Sequence, residues 1–108
     1  VYNRRKYPRA PLSNMCTIRV KDKDILCCGN MVNISANGFA FAVREPAFAE
    51  LKGYEVSVEI DNFAVLNDEY LIGSIIRCSN NSGEYIVGCR MPMESKAIEE
   101  YVSRNYSE

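Results

Sequence analysis

Two short polar segments carry most of the chemistry in this sequence. The first is Arg4-Arg5-Lys6-Tyr7-Pro8-Arg9, which contains Arg-x-x-x-Arg as Arg5 and Arg9. The second is Asn33-Ile34-Ser35-Ala36-Asn37-Gly38, an Asn-x-Ser-x-x-Gly pattern. A guanidinium is always charged and presents a planar fork of donors that matches phosphate oxygens. With Pro8 stiffening the segment, Arg5 and Arg9 can curl around one compact anion. In the second segment Asn33 offers an amide and Ser35 a hydroxyl. Gly38, lacking a Cβ, permits a sharp turn and close approach of a ligand. Each segment has a plainer reading: solvated arginines for the first, a tight turn for the second. Their order and their separation by about two strands make the pair informative.

The elements around these segments read as short strands. Cys16, Ile18 and Val20 alternate with Thr17 and Arg19, the period of a half-buried strand. Lys21-Asp22-Lys23-Asp24 reads as a hairpin turn, followed by a second run from Ile25 to Val32 in which Gly29 marks a bulge. Phe39 to Val43 alternates large and small residues, so one face fills a core and the other meets a close neighbour. Val56, Val58 and Ile60 alternate with Glu55, Ser57 and Glu59, the cleanest strand pattern in the chain. Tyr70–Cys78 and Glu84–Met91 are two more strands, separated by the turn residues Asn80-Asn81-Ser82-Gly83. Only the C-terminus reads as helix, with Ile98, Tyr101 and Val102 on one face and Ser95 as its cap. About six antiparallel strands and one terminal helix, within 108 residues, predict a single all-β domain built as a closed or nearly closed barrel.

Charge narrows the partner. Net charge is −1, yet residues 1–21 hold six basic residues and no acid, while the remainder holds seven bases and fourteen acids. A protein that coats a long duplex spreads basic charge over a broad face. A local basic segment on an acidic body suits a small anion or a short anionic contact, or equally a solvated basic tail. The five cysteines include an adjacent pair, and there is no histidine, so neither a disulfide framework nor a zinc site is expected. Cys16, Cys28 and Cys89 read as small buried hydrophobes in strands, and free thiols suit a reducing cytoplasm. No apolar run approaches the ~20 residues of a membrane-spanning helix, and no signal peptide follows the basic start. The chain begins with Val rather than Met, which leads to the expectation of a fused or partner domain upstream.

Taken together, Arg5-x-x-x-Arg9, the intervening hairpin, Asn33-x-Ser35-x-x-Gly38 and the late strand Tyr85-Ile86-Val87-Gly88-Cys89-Arg90-Met91 resemble the PilZ domain family. The resemblance covers essentially the whole chain, with Asn33 where Asp is commoner. It implies a six-stranded antiparallel β-barrel of split-barrel type with a C-terminal α-helix. It further implies a flexible arginine segment over residues 1–11, the barrel over 12–92 and the helix over 93–106. The implied ligand is cyclic di-GMP, with no other cofactor and no metal, and the implied setting is second-messenger signalling in the bacterial cytoplasm. Arg4, Arg5, Arg9, Asn33, Ser35, Gly38 and Gly88 are the implied ligand-binding residues. In the family an arginine just before Arg-x-x-x-Arg is associated with a stacked, intercalated ligand dimer, the role implied for Arg4. The chemistry fits: guanidinium forks match both phosphodiester oxygens and the O6/N7 edge of guanine, and Gly88 leaves room for a base.

Catalysis finds little support. There is no metal-ligand cluster and no nucleophile–base pair at recognisable spacing. Glu55 and Glu59 share a strand face but stand about 13 Å apart by strand rise, too far for paired acid–base work. A PilZ-like interaction module that acts without ligand is the alternative. An oligonucleotide-binding barrel is disfavoured by the acidic body and by the lack of exposed aromatics interleaved with basic residues.

Overall fold

The computed structural model describes residues 7–66 and 69–105. Seven strands run in the order β1 (Ala10–Pro11), β2 (Met15–Val20), β3 (Ile25–Ser35), β4 (Gly38–Val43), β5 (Glu55–Ile60), β6 (Leu71–Asn81) and β7 (Glu84–Arg90), and are followed by α1 (Lys96–Asn105). β2 to β7 form a closed antiparallel ring, β3-β2-β5-β6-β7-β4 and back to β3. The long strands β3 and β6 make closure possible. The first half of β3 pairs with β2 and its second half with β4; β6 likewise passes from β5 to β7.

Alternation decides which side chains enter the barrel. Ile18 and Val20 of β2, Phe39 and Phe41 of β4, Val56 and Val58 of β5 and Val87 of β7 are all essentially inaccessible to solvent. Burying each such aliphatic or aromatic side chain is worth about 1.5–3 kcal/mol. One mouth is plugged from a short 3-10 helix, Pro46–Glu50, whose Phe48 meets Phe41 edge to face at 5.7 Å. α1 packs against β3 and a second 3-10 turn, Ala64–Leu66. Its Ile98 and Val102 are buried, and Tyr101 meets Phe63 edge-on at 5.0 Å. The Oγ of Ser95 accepts from the Ile98 amide at 3.2 Å, the expected N-cap. The helix therefore begins at Lys96 rather than at residue 93.

Several expectations are corrected. β3 does not end at Val32 but continues through Ser35, so Asn33 and Ser35 belong to a strand end rather than a free-standing turn. Gly29 is not a bulge: it pairs in register with Cys16, and a Cβ there would collide with the Ala42 carbonyl oxygen and lie 2.7 Å from Val43 Cγ1. The bulges lie between Met31 and Asn33 and between Ile75 and Arg77. Cys28 is exposed, because the pairing of Cys27 with Ile18 turns Cys27 toward the core and its neighbour outward. The arginine segment was expected to be flexible through residue 11. Instead Ala10 is fully buried, and Ala10 and Pro11 pair with Ile34 and Asn33 as β1. No helix among the described residues is long and apolar enough to cross a membrane.

Candidate functional site

The site begins where β1 brings the basic segment onto the end of β3. Pro11 pairs with Asn33, and Nη1 of the preceding Arg9 donates to Asn33 Oδ1 at 3.1 Å. Its other terminal nitrogen, Nη2, lies 3.7 Å from where a Cβ on Gly38 would stand. One guanidinium thus spans the first and last residues of Asn-x-Ser-x-x-Gly. Arg4 and Arg5 lie outside the described residues.

Ser35 is fully buried, and its hydroxyl is committed to the turn that follows it. Its Oγ lies 3.0 Å from Asn37 Oδ1 and 3.3 Å from the Gly38 carbonyl oxygen, either of which can take its proton, and it accepts from the Asn37 amide at 3.4 Å. Gly38 is required by a close approach, since a Cβ would stand 2.7 Å from the Cys89 carbonyl oxygen. The turn is also held from below. The amides of Met91 and Ser95 donate to the carbonyls of Asn37 and Ala36 at 2.9 and 2.8 Å, tying the turn to the segment that leads into α1.

Gly88 lies one strand away from this corner. Register places Asn33 of β3, Ala40 of β4, Gly88 of β7 and Arg77 of β6 in one cross-strand row. Residues directly opposite in an antiparallel sheet share a face, and this row faces outward because the flanking Phe39, Val87 and Cys89 fill the barrel. Ala40 and Gly88 form its low floor. Arg77 lies across Gly88: its Cγ, Cζ and Nε would each stand 3.2–3.3 Å from a Cβ there. Arg90 faces Gly38 in the next outward row and is exposed. The sequence reading passed over Arg77 and Arg90. Arg77 carried one usable signal, for it shares the parity of Gly73 and Ile75, whose side faces the core, and an arginine in that position requires a bulge.

Two other features lie apart from the row. A cleft of about 430 Å³ is lined by Glu59, Ile60, Asn62, Phe63, Ala64, Leu66 and Glu69. Its carboxylates make it a poor host for phosphates. Burial pushes the Cys16 and Cys89 thiols up to about 12, so both stay protonated and unreactive at neutral pH.

The PilZ domain family model matches residues 3–104. The chain belongs to the PilZ domain family. Among solved structures the PilZ fold recurs in the Bacillus subtilis inhibitor of motility MotI/DgrA, at 17% identity and a TM-score of 0.72, over 95% of this chain and 51% of that one. The PilZ domain of YcgR from Escherichia coli, solved with c-di-GMP, is 16% identical with a TM-score of 0.65, over 94% of this chain and 88% of that one. The K. pneumonia MrkH–c-di-GMP complex is 12% identical with a TM-score of 0.68, over 96% and 50%. The chain thus spans about half the length of MotI/DgrA and of MrkH. No curated protein sequence matches it.

Proposed function

We propose that this PilZ domain is a cyclic di-GMP receptor module of bacterial signalling, and that its arginine segment closes over the barrel when ligand binds. The observation that carries the reading is the Arg9 guanidinium resting between Asn33 and Gly38. It joins the two motifs in one polar corner. Family membership supports the reading, as does ligand binding by the structurally similar YcgR domain and MrkH.

In this reading Arg9, Asn33, Gly38 and Gly88 contact the nucleotide directly. Asn33 offers an amide to a guanine edge, and Gly88 lies beneath a base. Arg9 and Arg5 hold the phosphodiesters, each charge-assisted contact contributing about 1.5–3 kcal/mol, offset in part by the entropy of ordering the segment. Ser35 acts through the turn that it shapes. Arg4 favours a stacked pair of ligand molecules, since a guanidinium can cover a base face while bonding to its edge. Output is mechanical: ordering the arginine segment reorients a fused or partner domain. The free thiols fit the bacterial cytoplasm.

Calorimetric titration of the purified chain tests the proposal, with GTP and single-stranded RNA as controls. Micromolar or tighter binding to cyclic di-GMP alone, weakened by Arg5→Ala and by Ser35→Ala, is the expected result. A stoichiometry near two ligands per chain supports the role of Arg4, and one near unity rejects it. Silence with cyclic di-GMP overturns the proposal and leaves the ligand-independent interaction module.

A further inference from the structure

The two bulges of the barrel stand at opposite ends of the same outward row. On β3 the register shifts between Met31 and Asn33. Met31 points into the core, and in a regular strand, with Val32 keeping its own place in the alternation, Asn33 would share its side. On β6 the shift falls between Ile75 and Arg77. Ile75 points into the core, and in a regular strand, with Ile76 keeping its own place in the alternation, Arg77 would follow it inward. Each bulge therefore takes a polar side chain from the inward parity and delivers it to the outer face, one at each end of Asn33–Ala40–Gly88–Arg77. Re-aiming a side chain is what a bulge does next to a functional site.

The span and floor of the row suit a nucleotide. Three interstrand steps of about 4.8 Å place the backbones of Asn33 and Arg77 about 14 Å apart. The two residues between them rise no higher than a methyl group. A planar base can lie on that floor, where any larger side chain would lift it. Arg77 already lies across Gly88, so its guanidinium rests on the floor and lifts to cover a base that enters beneath it.

We infer that Arg77 is a guanine-contacting, specificity-determining residue of the nucleotide site, closing the end of the row opposite Arg9 and Asn33. This inference rests on the cyclic di-GMP reading above. The guanidinium covers the base and directs its donor fork at the O6/N7 edge, which guanine presents as two acceptors and adenine does not. Arg77 thereby contributes selectivity for guanine over adenine as well as affinity.

The test is titration of wild type, Arg77→Ala, Arg77→Lys and Arg9→Ala with cyclic di-GMP and with cyclic di-AMP, beside a thermal melt of each variant. Arg77 is exposed, so its variants should melt with wild type. Arg77→Ala should bind cyclic di-GMP about tenfold or more weaker, the loss of one good base contact. Arg77→Lys keeps the charge but not the fork, so the preference for cyclic di-GMP over cyclic di-AMP should fall about tenfold. A purely structural or purely electrostatic role for Arg77 would leave that preference unchanged. If Arg9→Ala weakens binding while both Arg77 variants keep wild-type affinity and preference, Arg77 is an ordinary surface residue and the inference fails alone. If wild type itself does not bind cyclic di-GMP, the receptor reading fails and this inference with it.

Discussion

Arg9 donates from Nη1 to Oδ1 of Asn33 at 3.1 Å, although 24 residues separate them in sequence. This bond brings the basic start of the chain to the polar end of β3. Arg9→Ala removes both the cation and the partner of Asn33. Its cyclic di-GMP affinity should fall about ten- to a hundredfold, as expected for charge-assisted hydrogen bonds of about 1.5–3 kcal/mol. Asn33→Asp, which retains an acceptor facing the guanidinium, should bind, whereas Asn33→Leu should not. Isothermal titration calorimetry of the three variants checks this.

Ser35 should show its effect in stability as well as affinity. Its hydroxyl is fully buried among Asn37 and Gly38, and Ser35→Ala leaves the Asn37 amide without that acceptor. Urea unfolding should register a loss of about 1–3 kcal/mol. The opposite outcome, a variant as stable as wild type, would mean that the turn holds its shape without the hydroxyl.

Gly38 and Gly88 should respond differently to the same methyl group. At Gly38 the methyl meets a backbone oxygen, that of Cys89, at 2.7 Å, so the strands must part. Gly38→Ala should cost about 1–3 kcal/mol. At Gly88 the three atoms nearest the methyl all belong to the Arg77 side chain, at 3.2–3.3 Å, and that side chain can swing away. Gly88→Ala should melt close to wild type yet bind cyclic di-GMP more weakly, because the floor is raised. Thermal melts paired with titrations separate the two cases.

Alkaline pH should destabilise the barrel through its buried thiols. Burial raises Cys16 and Cys89 from 9.0 to about 12 in the folded chain. The unfolded chain releases both protons near pH 9 and the folded chain keeps them. Their contribution is therefore complete below pH 9 and is lost as pH rises toward 12. At pH 10 each thiol accounts for roughly 1 kcal/mol. Urea unfolding at pH 7 and pH 10 should show the loss, and Cys16→Ala/Cys89→Ala should reduce it. At neutral pH a maleimide should label exposed Cys28 first.

The strands and helix were legible wherever one periodicity governed. Val56, Val58 and Ile60 alternate without interruption, and β5 carries all three inward. Ile98 and Val102 lie one helical turn apart, and α1 buries both. Legibility failed where pairing, rather than pattern, fixed a residue. Nothing local marks Ala10-Pro11 as a strand; the partners in β3 make it one. Cys28 turns outward because its neighbour's partner is Ile18. The corner formed by Arg9, Asn33 and Gly38 could be anticipated from two motifs of matching chemistry. Arg77 showed only that its strand must break parity, and its place in the row beside Gly88 comes from the register across β7.

The amide bonds from Met91 and Ser95 to the carbonyls of Asn37 and Ala36 bear on where this domain can be cut. A fragment trimmed at the last strand, though it would retain every barrel residue, would leave two main-chain oxygens of the polar corner to find water. The stretch between β7 and α1 is thus a strut of that corner and not spare linker. Grafting this domain onto another protein should preserve the tail, with any new junction placed beyond residue 105.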